Sequence, residues 1–189
     1  MKALKNLLAV LAIVFAGSAW ADGYDETRTV FQDAGASGGF FDSAYGYALF
    51  PTIGKGGIGI GGAGGKGRVY VGGKHVGDTS VAQVSVGFQF GGQAYSMIIF
   101  FEDERAYTDF ASGNFEFGAQ ATAVAITAGA SAGTSTAGGG NTGASGGQSD
   151  ATTRGAYSKG MATFTVAKGG LMYEASIGGM KFGYKPVGE

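Results

Sequence analysis

From Ala82 to Phe90 the chain alternates without a break: Ala82, Val84, Val86, Phe88 and Phe90 share one parity, and Gln83, Ser85, Gly87 and Gln89 the other. That is the period of a strand with one buried face. The stretch from Tyr45 to Phe101 carries the same signature. Ile58 and Ile60 alternate with glycines, Val69 and Val71 alternate with Arg68 and Tyr70, and Gly72-Gly73 forms a two-residue hairpin turn. Gly91-Gly92 turns into a strand over 93–101 that ends in the apolar run Met97-Ile98-Ile99-Phe100-Phe101. A run without polar alternation predicts a central strand covered on both faces. Further strands are predicted over 115–127, 161–168 and 171–184, the last two joined by Gly169-Gly170.

Helical spacing appears earlier. Val30, Phe31 and Ala34 lie one turn apart, and Phe40, Phe41, Ala44, Tyr45, Ala48 and Leu49 continue an i, i+1, i+4 pattern. The glycines from Gly35 to Gly39 separate two predicted helices, and Pro51 closes the second, because the residue before proline avoids helical geometry. A short third helix is predicted over 103–110, where the acids of its first turn suit the helix dipole. The segment from Ala128 to Thr153 contains nothing apolar larger than alanine. It cannot bury enough surface to offset its ordering entropy, so a flexible loop is expected there.

The first residues carry a processing signal. Lys2 and Lys5 precede an apolar run from Leu7 to Gly17, and Ala19-Trp20-Ala21 supplies an A-x-A cleavage pattern. The run is shorter than the roughly 20 residues of a spanning helix. Residues 1–21 are therefore expected to be a cleaved export signal, and 22–189 a single domain in the periplasm or cell envelope.

Composition narrows the chemistry. The chain has 189 residues, no cysteine and a single histidine, which leaves no disulfide framework and few metal ligands or catalytic bases. His75 stands beside a glycine turn among basic residues, where it reads as a solvated turn residue. Glu102-Asp103-Glu104 lacks the alternating spacing of a calcium loop. Gly59, Gly61 and Gly64 match G-x-G-x-x-G, but a strand follows where the dinucleotide motif needs a helix. No cofactor, metal or catalytic set is expected. The formal net charge is −1, and −3 once Lys2 and Lys5 leave with the signal, which argues against a nucleic-acid partner.

The 39 glycines far exceed the usual share of about 7%. In strands so many imply turns, bulges or close backbone approach, hence a strongly curved sheet. Between Asp42 and Asp78 the chain holds Lys55, Lys66, Arg68, Lys74 and His75 but no acid. Backbone N–H groups unshielded by side chains, together with lysine and arginine, suit an anionic ligand. Lys55, Lys66, Arg68 and Lys74 are the candidate head-group residues.

The ordered blocks in this region also resemble a family. Tyr45-Gly46-Tyr47-Ala48-Leu49-Phe50-Pro51 is followed by Gly56-Gly57-Ile58-Gly59-Ile60-Gly61-Gly62, then Gly65-Lys66-Gly67, then the run from Val84 to Gln93. Phe110 to Gly118 adds a phenylalanine followed by a strand entrance. This succession resembles the SYLF domain, a lipid-binding, actin-regulator-like family. The resemblance implies a lipid-binding module whose eukaryotic members bind anionic phospholipids such as phosphoinositides, some of them also actin. For an exported chain it implies anionic envelope phospholipid instead.

The expected architecture is α+β: a strongly curved antiparallel, barrel-like sheet with N-terminal helices and one short internal helix. The expected function is exported, non-catalytic binding of anionic phospholipid or a membrane surface. Two alternatives stand beside it. One is a small outer-membrane β-barrel, which alternation and export permit. The other is an envelope stress or assembly factor that contacts a protein partner through the Ala128–Thr153 loop.

Overall fold

The computed structural model describes residues 23–87, 92–118, 121–126, 156–168 and 177–188. The expected export signal over 1–21 and the expected loop over 128–153 lie outside them, as does the Gly169-Gly170 junction. Helix α1 spans 23–33 and α2 is the single turn Phe40–Ser43. Strands β1 (Gly46–Val71), β2 (Lys74–Gly87) and β3 (Gly92–Phe101) follow, then α3 (Glu104–Ala111). The chain ends with β4 (Phe115–Glu116), β5 (Val124–Ile126), β6 (Met161–Lys168) and β7 (Lys181–Pro186). All seven strands form one sheet in the order β4-β7-β2-β1-β3-β6-β5, antiparallel except for the β5–β6 pair. The sheet curls strongly, so the α+β, curved-sheet expectation holds.

The curl originates in β1. A straight strand of its 26 residues would be about 86 Å long, far beyond a domain of this size. Instead its first part, Gly46 to Gly56, pairs with β3, and its second, Gly59 to Val71, pairs with β2. The two halves cross face to face, and glycine is required where they meet. A Cβ on Gly67 would lie 2.7 Å from the Leu49 carbonyl oxygen and from the Phe50 ring. One on Gly65 would lie 2.7 Å from the Thr52 oxygen, and one on Gly46 2.5 Å from the Tyr70 oxygen. Part of the glycine excess is therefore a steric condition for folding one strand across itself.

Two cores result. Odd positions of β3 (Tyr95, Met97, Ile99 and Phe101) enter the interior of the curl with Phe50, Val69, Val81, Phe110 and Phe182. Even positions, Ile98 and Phe100, face outward into a second cluster with Tyr47, Leu49 and Phe164, covered by Tyr24 and Phe31 of α1 and flanked by Phe40 and Phe41. Phe100 meets the rings of both Phe40 and Phe41, at 5.4 and 4.9 Å between centroids. The central strand is thus buried on both faces, as its apolar run predicts. Burial also raises the Tyr95 phenol from 10.0 to about 12.

The sequence reading of 44–51 as helix is corrected: only 40–43 is helical, and Gly46 begins β1. Tyr47 and Leu49 enter one core and Ala48 and Phe50 the other, and a short run buried on both sides has no periodicity that separates strand from helix. Pro51 sits at the register shift between Phe50 and Ile53. A bulge tolerates a residue without an N–H, and the Ser96 hydroxyl donates to the Pro51 carbonyl at 2.8 Å.

A second correction concerns the phase of β2. Thr79 and Val81 are buried, whereas Ala82 is exposed and Val84 is 80% exposed. Val81 lies in register with Gly65 and Phe182, so the interior cluster takes the parity opposite to the one the alternation suggests. Two further strands are shorter than predicted. The strand expected over 115–127 appears as the separate strands β4 and β5, which form the two edges of the sheet. Phe117 N–H donates to the Met180 carbonyl and Ile177 N–H to the Ala121 carbonyl. Of the 171–184 strand, residues 171–176 lie outside the described residues, and the described strand is Lys181–Pro186.

The local predictions that hold have clear causes. Gly72 (φ 56°) and Gly73 (φ 77°) make the β1–β2 turn in the left-handed region that glycine favours. Asp103 caps α3, its Oδ1 accepting from the Ala106 N–H at 2.8 Å. Among the described residues no helix is long and apolar enough to cross a membrane.

Candidate functional site

Lys66 and Arg68 stand on the outward face of β1, two positions apart, alternating with the close-approach positions Gly65 and Gly67 on the inward face. Strand register extends this face across β2 and β7. Arg68 is opposite Asp78, which is opposite Lys185; Lys66 is opposite Ser80, which is opposite Gly183; Gly64 is opposite Ala82, which is opposite Lys181. Residues directly opposite in neighbouring strands share a face and lie about 5 Å apart. The three rows therefore build a patch of small side chains carrying four cations. Lys66, Lys181 and Lys185 are exposed, and Arg68 is half-buried.

The acids of the patch are engaged. Asp78 lies 3.0 Å from His75 Nε2, which also sits 3.1 Å from the Gly77 carbonyl oxygen. Glu116 of β4 reaches Lys181 at 3.4 Å. Lys66 and Lys185 have no acid within ion-pair distance among the described residues. Arg68 is fixed from the other side, its guanidinium carbon 4.3 Å from the centroid of the Tyr24 ring on α1. Burial raises the Tyr24 phenol above its usual range while the Arg68 charge opposes that shift.

The four sequence candidates are thus placed differently. Lys66 and Arg68 come together. Lys74 is opposite Val71 beside the turn, three strand positions from Arg68 and so about 10 Å further along. Lys55 lies in the other half of β1, beyond the bend, opposite Gln93. Lys168, opposite Ala94 on β3, has the parity of the outward Phe164 and Val166, and its ammonium donates to the Thr52 hydroxyl at 2.9 Å. Sequence reasoning missed Lys181 and Lys185, which are more than a hundred residues from Lys66. The period-two pattern Lys181-Phe182-Gly183-Tyr184-Lys185, cations out and rings in, was the available signal.

The patch can hold anions by charge and by close approach to a backbone that small side chains leave accessible. Among the described residues no three histidines or acids gather in a way that could hold a metal ion.

The comparisons with known proteins bear on the same region. No curated protein matches the chain. A family model, Ysc84, described as Las17-binding protein actin regulator, matches residues 82–183. That span includes the Val84–Gln93 block, the Phe110–Gly118 segment and most of β2 through β7, while the blocks from Tyr45 to Gly67 precede it. With more than half of its residues matched, the chain belongs to the Ysc84 family, the SYLF family that its motifs resemble.

Proposed function

We propose that this chain is an exported, non-catalytic module that binds anionic phospholipid at the surface of a bacterial cell envelope. Lys66, Arg68, Lys181 and Lys185 meet the head groups and Lys74 flanks them; Lys55, beyond the bend of β1, stands apart from this patch. The observation that carries this reading is the open face of β1, β2 and β7, where cations stand in register among glycine, alanine and serine. A basic residue near an anionic membrane contributes about 1 kcal/mol, so four supply a few kcal/mol, which salt weakens. Family membership supports lipid binding in general terms. The family's named actin and Las17 connections are not carried over, because an export signal removes the chain from such partners.

The non-catalytic part of the reading rests on the residues at hand. The one histidine is held at a turn by Asp78 and a carbonyl oxygen, and no cysteine is present. An outer-membrane barrel is disfavoured because the outer side of β3 and β6 packs against α1 and α2, where a barrel would meet acyl chains.

Co-sedimentation of residues 22–189 with vesicles tests the proposal. Binding to phosphatidylglycerol vesicles should exceed binding to phosphatidylcholine vesicles and should decline as salt rises. The double variant Lys66→Glu, Arg68→Glu removes two attractions and adds two repulsions, so apparent affinity should fall more than tenfold. Undiminished binding by that variant, or indifference to salt, would overturn the proposal.

A further inference from the structure

We infer a second ligand site: a cavity of about 670 Å³ at the seam of the curled sheet, shaped to take one acyl chain with its anionic head on Lys159. The cavity lies where the sheet fails to close, between α3, residues 115–118 and 121–124, and the start of β6. Its volume falls in the range of about 300–1,000 Å³ usual for small-molecule sites. Its apolar lining comes from Phe115, Phe117, Ala121 and Val124, interspersed with Thr122 and Thr163. The four apolar side chains are half-buried, and the rings of Phe115 and Phe117 pack edge to face at 5.1 Å.

The rim is polar and exposed, and its charges are not equivalent. Arg105 is shared between Asp103 and Asp109, each at 3.7 Å, and Glu116 is taken by Lys181. Lys159 has no acid within ion-pair distance among the described residues. It is also the one described non-glycine residue with positive φ, at 52°, followed by Gly160 at 81°. These two form the centre of a tight turn closed by hydrogen bonds between Ser158 and Met161, at 2.8 and 3.0 Å. Such a turn favours asparagine or glycine at its first central position, and a lysine there sits in a conformation that its Cβ disfavours. Gly160 beside it packs closely on α3, since a Cβ there would lie 3.0 Å from the Ala106 Cβ and 3.1 Å from the Arg105 guanidinium. A strained cation without an acid partner, at the mouth of an apolar cavity, points to a ligand with a negative head and one hydrocarbon tail. A fatty acid and a lysophospholipid share that chemistry.

This site stands apart from the open face of β1, β2 and β7, and the test separates the two. Dodecanoate, kept below its micelle concentration, is titrated into the purified protein and followed by calorimetry. Butyrate and dodecyltrimethylammonium serve as head-only and reversed-charge probes. Saturable binding of one dodecanoate per chain is expected, with both controls at least tenfold weaker. Lys159→Asn should melt a few degrees higher, because asparagine suits the turn, yet bind dodecanoate at least tenfold more weakly. The Lys66→Glu, Arg68→Glu variant should bind dodecanoate normally while losing phosphatidylglycerol vesicles. No saturable binding, unchanged affinity or a lowered melting temperature in Lys159→Asn, or equal binding of dodecyltrimethylammonium would each overturn the inference. Loss of dodecanoate binding in the double variant would merge the two sites and overturn it as well. Lys159→Asn and the parent protein should co-sediment equally with phosphatidylglycerol vesicles; a difference there would assign Lys159 to the membrane surface instead.

Discussion

One sheet carries two outer faces of opposite character. Over β3 and β6 the outward positions are Ile98, Phe100, Phe164 and Val166, and α1 and α2 lie on top of them. Over β2 and β7 they are Asp78, Ser80, Ala82, Lys181, Gly183 and Lys185, and no described helix covers them. The covered face holds aromatic side chains that only burial can stabilise. The open face offers little apolar area to bury, as suits a face left to solvent. Under the proposed function its cations meet anionic head groups.

The contrast can be broken most forcefully at Phe100. Its ring is wholly buried and touches Phe40, Phe41 and Phe164, so Phe100→Ala should cost about 3–5 kcal/mol, read as a lower midpoint in urea. The interior has its own signature in alkali. Because the Tyr95 phenol is raised from 10.0 to about 12, its contribution is complete below pH 10 and is lost as pH climbs through 12. Denaturant midpoints should therefore hold steady to pH 10 and then decline, by no more than about 3 kcal/mol in total from this group. A Tyr95→Phe variant should decline less over the same range.

The crossing in β1 sharpens the comparison at single-atom level. Gly67→Ala drives a methyl into the Leu49 oxygen and the Phe50 ring and should cost about 1–3 kcal/mol. Gly64→Ala, three residues earlier on the exposed face, meets only the Val81 oxygen at 3.6 Å and should be neutral or slightly stabilising in the same melt. Smallest of all is Lys66→Ala. An exposed lysine without an ion pair should change stability by less than about 0.5 kcal/mol while weakening vesicle binding.

What the sequence disclosed follows from how local each signal is. The Gly72-Gly73 turn, the α3 cap at Asp103 and the doubly buried β3 are set by residues within a few positions of one another, and all three are present in the fold. The helix expected over 44–51 failed because Tyr47 to Phe50 is apolar on every side, and only the second core reveals it as a strand. The phase of β2 failed for a related reason: Val81 is drawn inward by Phe182 and Gly65, partners that no reading of 82–90 alone includes. Lys66 and Arg68 were legible as a pair because they share one strand parity. Their continuation through Lys181 and Lys185 depends on register with β7, which closes the sheet across more than a hundred residues.

The most direct test labels the open face itself. The chain has no cysteine, so Val84→Cys, at an outward position of β2 that is 80% exposed, can carry a single environment-sensitive fluorophore; Asp42→Cys on α2 carries it on the helical cover. With phosphatidylglycerol vesicles the label at position 84 should shift to shorter wavelength and that at 42 should not, and salt should abolish the change. A shift at 42 with none at 84 would contradict the account.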